Sequence, residues 1–114
     1  MSFFSTDAMI LKGPDNHTVP VGAIATFHCT AQGEDAYLKI NDVAIDELME
    51  GFVFDYEHDC STSTCNLTMS INAVPQNNNT IIVCVALSDE DYSSLPAVLI
   101  VIGTAELNLH ACVY

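Results

Sequence analysis

The chain contains no tryptophan and no arginine, and its only cations are Lys12 and Lys39, set against fifteen carboxylates for a formal charge of −13. That balance repels phosphate backbones and anionic membrane surfaces, and no basic stripe exists to offset it. Long apolar runs are also missing. The longest, Ala97 to Ile102, is far too short to cross a bilayer. Chemistry-bearing motifs are absent as well: there is no Gly-x-Ser-x-Gly elbow, no phosphate loop and no His-Glu-x-x-His. The carboxylates are scattered without a pattern suited to acid–base work, so catalysis is not expected. Strong helix formers are thin and dispersed.

What remains is a β-rich pattern. Half of the 114 residues are hydrophobic, enough for one domain with a real core. Val, Ile, Thr, Tyr and Phe gather in short runs separated by Gly, Pro, Asn, Asp and Ser, the signature of an all-β sandwich or barrel. The clearest run is Gly22 to Ala31, in which Ala25, Phe27, Cys29 and Ala31 alternate with Ile24, Thr26, His28 and Thr30. A period of two gives a strand with one buried face. Thr80 to Leu87 repeats the pattern with Ile82, Cys84 and Ala86, and Leu67, Met69 and Ile71 mark a third half-buried strand. Cys29 and Cys84 read as a pin between two sheets.

Shorter strands are expected at Ala8–Leu11, Thr18–Val21, Ala36–Ile40, Phe52–Tyr56 and Pro96–Ile102, with Pro20 restricting its strand to a sheet edge. Val43–Glu50 fits either an edge strand or one helical turn. His58–Thr64 reads as a polar loop, and Ser88–Ser94 as an acidic hairpin loop. The expected boundaries are a lead-in over 1–7, a domain over 8–103 and a linker or truncated tail over 104–114.

Five cysteines and three Asn-x-Thr sequons, at Asn16, Asn66 and Asn78, point to an oxidising, glycosylating compartment. Met1–Asp7 has neither the basic nor the apolar region of a signal peptide. The expectation is therefore a piece of a larger extracellular or cell-surface protein.

In this order the strands resemble an immunoglobulin-superfamily domain of a receptor or adhesion protein. Gly22-x-x-Ala25-x-Phe27-x-Cys29 stands as strand B, Leu67-x-Met69-x-Ile71 as strand E, Ile82-x-Cys84-x-Ala86 as strand F and Pro96–Val101 as strand G. The resemblance implies a two-sheet antiparallel Greek-key sandwich. Two hallmarks are replaced: Leu38 stands in the slot of the strand C tryptophan, and Ile82 in that of the corner tyrosine. Asn78 stands where an Asp is usual.

A Cys29–Cys84 bridge contributes roughly 4 kcal/mol and a local Cys60–Cys65 clip roughly 2 kcal/mol in the chain-entropy view; Cys112 is left over. His58, Cys60 and Cys65 also have the chemistry of a zinc site, although no fourth ligand is evident in the sequence. Glu34-Asp35 and Asp89-Glu90-Asp91, in loops that meet at one end of such a sandwich, are candidates for Ca²⁺ or a basic partner. Asp46, Glu47, Glu50, Asp55, Glu57 and Asp59 suit a solubilised strand edge.

If Ile82, Cys84 and Ala86 point inward, then Ile81, Val83 and Val85 point outward, and by the same alternation so do Val98, Ile100 and Ile102. Six branched side chains on adjacent strands form a large apolar patch. The expected function is protein–protein recognition through this G–F–C face, homophilic (a weak dimer) or with a similar or neighbouring domain, with no cofactor, no metal and no nucleic acid. The competing expectation is a module dependent on Ca²⁺ or Zn²⁺.

Overall fold

The computed structural model describes residues 8–45, 53–88 and 90–103. The strands run in chain order β1 (Met9–Lys12), β2 (His17–Pro20), β3 (Ile24–Gln32), β4 (Asp35–Ile40), β5 (Val43–Ala44), β6 (Val53–Ser61), β7 (Thr64–Asn72), β8 (Thr80–Leu87), β9 (Tyr92–Ser93) and β10 (Ala97–Ile102), with a 3₁₀ turn at Pro75–Asn77. One sheet has the order β1-β3-β7-β6; the other has β2-β10-β8-β4-β5, with β9 also paired to β8.

All pairs are antiparallel except β2 with β10, which run parallel. Pro20, which cannot donate to a ladder, lies on that sheet-edge strand, as its chemistry requires.

The core follows the alternation. Ala25, Phe27, Cys29 and Ala31 of β3, Leu67, Met69 and Ile71 of β7, Ile82, Cys84 and Ala86 of β8, and Ala97, Leu99 and Val101 of β10 are all buried. Cys29 and Cys84 join the sheets with Cα atoms 6.4 Å apart. Leu38 of β4 lies opposite Cys84 in register and is fully buried, so a smaller side chain fills the tryptophan slot.

Where the corner tyrosine is missing, three polar residues close the turn before β8. The buried Asn77 donates Nδ2 to the Asn72 carbonyl at 2.7 Å, and Thr80 Oγ1 donates to the Asn77 carbonyl at 2.7 Å. Asn78 Oδ1 accepts from the Val101 amide at 2.8 Å. Such bonds satisfy backbone groups that would otherwise be buried without partners.

Several local expectations are corrected. His58–Ser61 is strand, and Thr62-Ser63 alone makes the turn between β6 and β7. Both turn residues have positive φ, 47° and 66°, the requirement of a two-residue hairpin whose twist matches its strands. Asn41-Asp42, at 50° and 70°, turns β4 into β5 in the same way. Asn and Asp tolerate this region; Thr and Ser signal it poorly, so the sequence read as a longer loop.

The acidic loop is likewise interrupted by β9, where Tyr92 and Ser93 pair with Ala86 and Val85. From Ser93 to Ala97 the chain takes four steps while β8 takes three, Val85 to Ile82. One residue is therefore bulged out. Ser94 bridges the break, its amide donating to the Cys84 carbonyl and its Oγ accepting from the Cys84 amide. Most of Val43–Glu50 and Phe52 lie outside the described residues, as do the expected end segments 1–7 and 104–114.

Candidate functional site

The outward residues of the β2-β10-β8-β4-β5 sheet form the candidate binding face. Val98 and Ile81 are directly opposite across β10 and β8. Ile100 and Ile102 continue along β10, and Val83 along β8. Ile81 and Ile102 are 43% and 41% exposed, and Val83, Val98 and Ile100 are half-buried.

Val85 departs from the expectation of an exposed residue: it is 3% exposed. It lies on a central strand between Tyr37 of β4 and Ser93 of β9, and an outward residue with neighbours on both sides loses its water. The patch thus comprises five aliphatic residues, with Tyr37 and Lys39 of β4 alongside; Lys39 is opposite Val83.

The other outer face is polar. Three cross-strand rows run over β3, β7 and β6: Thr26, Ser70 and Asp55; His28, Thr68 and Glu57; Thr30, Asn66 and Asp59. Within them Thr26 Oγ1 and Ser70 Oγ lie 3.1 Å apart, His28 Nδ1 and Thr68 Oγ1 3.2 Å apart, and Thr30 Oγ1 donates to Asn66 Oδ1 at 3.1 Å. The carboxylates of β6 line the edge strand of this sheet, where charge discourages strand pairing with another chain. Among the described side chains, its exposed aliphatics are Ile24 and, on the edge strand β1, Met9 and Leu11.

The sequon asparagines are all exposed. Asn66 lies near the start of β7, on the polar face. Asn16 and Asn78 touch β10 near its two ends, their Oδ1 atoms accepting from the amides of Val98 and Val101.

A second cluster bridges the sheets at their open edge. Cys60 and Cys65 are directly opposite on β6 and β7 and are bonded to each other. Behind them, His58 Nε2 lies 3.0 Å from Asp35 Oδ1 and 2.9 Å from the Ala36 carbonyl. Both neighbours are acceptors, so Nε2 carries the proton. Cys60 Sγ is 3.4 Å from Asp35 Oδ1 and 3.6 Å from His58 Nε2. As a disulfide sulfur it has no proton to donate to that carboxylate.

The ligand atoms of Asp35, Cys60 and Cys65 also gather within 4.8 Å of one another. Glu34, Glu90 and Asp91 are exposed and do not join it; Asp89 lies outside the described residues.

No protein-family model matches the chain, and no curated protein matches it in sequence. Solved structures do. The N-terminal eight immunoglobulin domains of Down Syndrome Cell Adhesion Molecule superpose with a TM-score of 0.70 at 15% identity, over 88% of this chain and 13% of that one. The fold is that of an immunoglobulin domain. The N-terminal Ig1-2 module of the Drosophila receptor tyrosine phosphatase DLAR gives a TM-score of 0.64 at 20% identity, over 84% of this chain and 49% of that one. The chain therefore spans about half of that two-domain module. Domain D1 of Duf (Kirre) matches over nearly its whole length, 98%, with a TM-score of 0.64 and 16% identity. No helix among the described residues is long and apolar enough to cross a membrane.

Proposed function

We propose that this immunoglobulin domain is an extracellular protein-recognition module that pairs with a second copy of itself, or with a similar domain, through Ile81, Val83, Val98, Ile100 and Ile102. The carrying observation is the contrast between the two outer faces. A sheet with only water on its outer side alternates apolar-in and polar-out, as β3, β7 and β6 do, whereas β8 and β10 are aliphatic on both sides. Leaving such a patch in water is unfavourable, and burying it drives association.

Some neighbouring folds support the class of function: they include a cell adhesion molecule and a receptor phosphatase, while others are titin domains, one of them in an immunoglobulin complex with obscurin-like 1. Two disulfides fit an oxidising compartment. Glycans on Nδ2 of Asn16, Asn66 and Asn78 would shield the polar face and the margins of β10.

Light scattering coupled to size-exclusion chromatography tests this on the secreted, glycosylated domain. The expected result is a concentration-dependent dimer that is lost in the Val83→Glu, Ile100→Glu double variant. A dimer that survives the double substitution contradicts the reading, and a chain that stays monomeric at millimolar concentration contradicts pairing with a second copy.

A further inference from the structure

We propose that reduction of the Cys60–Cys65 bond turns Asp35, His58, Cys60 and Cys65 into a Zn²⁺ site that ties the two sheets together. This is independent of the binding face. The sequence offers two thiolates and an imidazole without a fourth ligand. The fold supplies one, since Asp35 at the start of β4 brings Oδ1 to 3.0 Å from His58 Nε2 and 3.4 Å from Cys60 Sγ. Ligand atoms on one tetrahedral zinc sit about 3.3–3.8 Å apart, given Zn–S near 2.3 Å and Zn–N or Zn–O near 2.0 Å. Asp35 Oδ1, His58 Nε2 and Cys60 Sγ are thus within a few tenths of an ångström of a zinc-bound arrangement; the two sulfurs, once unbonded, must separate to about 3.8 Å and Cys65 Sγ must turn toward His58 to complete the tetrahedron.

The donor set decides the metal. Two thiolates and an imidazole favour zinc over Ca²⁺ or Mg²⁺, which take oxygen ligands. His58 and Asp35 side chains are 38% and 55% exposed, so an ion has a path in from solvent. The site straddles the sandwich, with His58 and Cys60 on β6, Cys65 on β7 and Asp35 on β4 of the other sheet. The bridge between β6 and β7 would give way to one between the sheets.

The chemistry balances. A phosphine or dithiol reductant delivers two electrons to the S–S bond, and two protons from water complete the thiols. With a phosphine, water also supplies the oxygen of the phosphine oxide. Binding of Zn²⁺ then releases both thiol protons, while the His58 proton shifts from Nε2 to Nδ1 so that Nε2 can ligate.

The test uses the full chain carrying Cys112→Ser, reduced anaerobically with a water-soluble phosphine and freed of reductant. Cys29 and Cys84 are buried and Cys60 half-exposed, which directs reduction to the second bond. Titration with Co²⁺ should give a thiolate-to-cobalt charge-transfer band saturating at one equivalent and bleached by Zn²⁺. Cys65→Ser should abolish the band, and Asp35→Asn and His58→Ala should each weaken Co²⁺ binding at least about tenfold. The oxidised chain should show no band. A reduced chain without the band, an oxidised chain with it, or a band indifferent to Asp35→Asn and His58→Ala overturns the proposal. Where reduction alone unfolds the domain, added Zn²⁺ should restore its melting transition; failure to restore it also overturns the proposal.

Discussion

The two outer faces of this sandwich are built by alternating strands over a shared core, yet they meet water on opposite terms. Across β3, β7 and β6 three cross-strand rows of outward positions carry Thr, Ser, Asn, His, Asp and Glu, with Ile24 exposed at one end of β3. Across β8 and β10 the outward positions carry Ile and Val. Stability does not explain the difference, because the core is filled from the inner faces alone. A polar face needs only to stay solvated. An aliphatic face lowers its free energy when another apolar surface covers it.

The strongest way to break the comparison is to place charge on each face in turn. Val83→Glu with Ile100→Glu should weaken self-association at least about 100-fold, since each unpaired carboxylate would be buried at the contact. Thr26→Glu with Thr68→Glu should leave the dimer constant unchanged; sedimentation equilibrium of both pairs decides.

Next comes the single residue that leaves the patch. Val85→Asp should cost about 3 kcal/mol or more in chemical denaturation, because the carboxylate has no partner in its buried place. The half-buried Val83→Asp should cost about 1 kcal/mol.

A smaller contrast separates the turns that close each sheet. Asn41-Asp42 suits its positive φ, whereas Thr62-Ser63 does not. Thr62→Asn with Ser63→Gly should therefore raise stability by about 1 kcal/mol in a thermal melt. The smallest effect is that of salt. Two copies of like charge repel, and screening should strengthen an aliphatic contact several-fold between low and physiological ionic strength. A contact made through β6 carboxylates and cations would weaken instead.

Much of this architecture was legible in the residues. Strict alternation around Cys29 and Cys84 placed β8 at its observed bounds and β3 within two residues of its own, and oriented both faces, because a one-residue slip would have exposed Phe27 and buried His28. What escaped was set by neighbours rather than by local pattern. Val85 carries the same signal as Val83, and only the strands beside it, β4 and β9, bury it. The parallel pairing of β2 with β10 joins segments some eighty residues apart and leaves no local trace. Asp35 showed itself only as an acidic loop residue; its position beside His58 and Cys60 comes from stacking one sheet on the other.

Methyl-detected NMR of the domain, followed from micromolar to millimolar concentration, tests the central claim most directly. The aliphatic face should report its own burial: methyls of Ile81, Val83, Val98, Ile100 and Ile102 should shift with concentration, while those of Ile24 and Leu11 on the opposite sheet stay fixed. Shifts confined to Ile24 and Leu11, or none anywhere, would contradict the account.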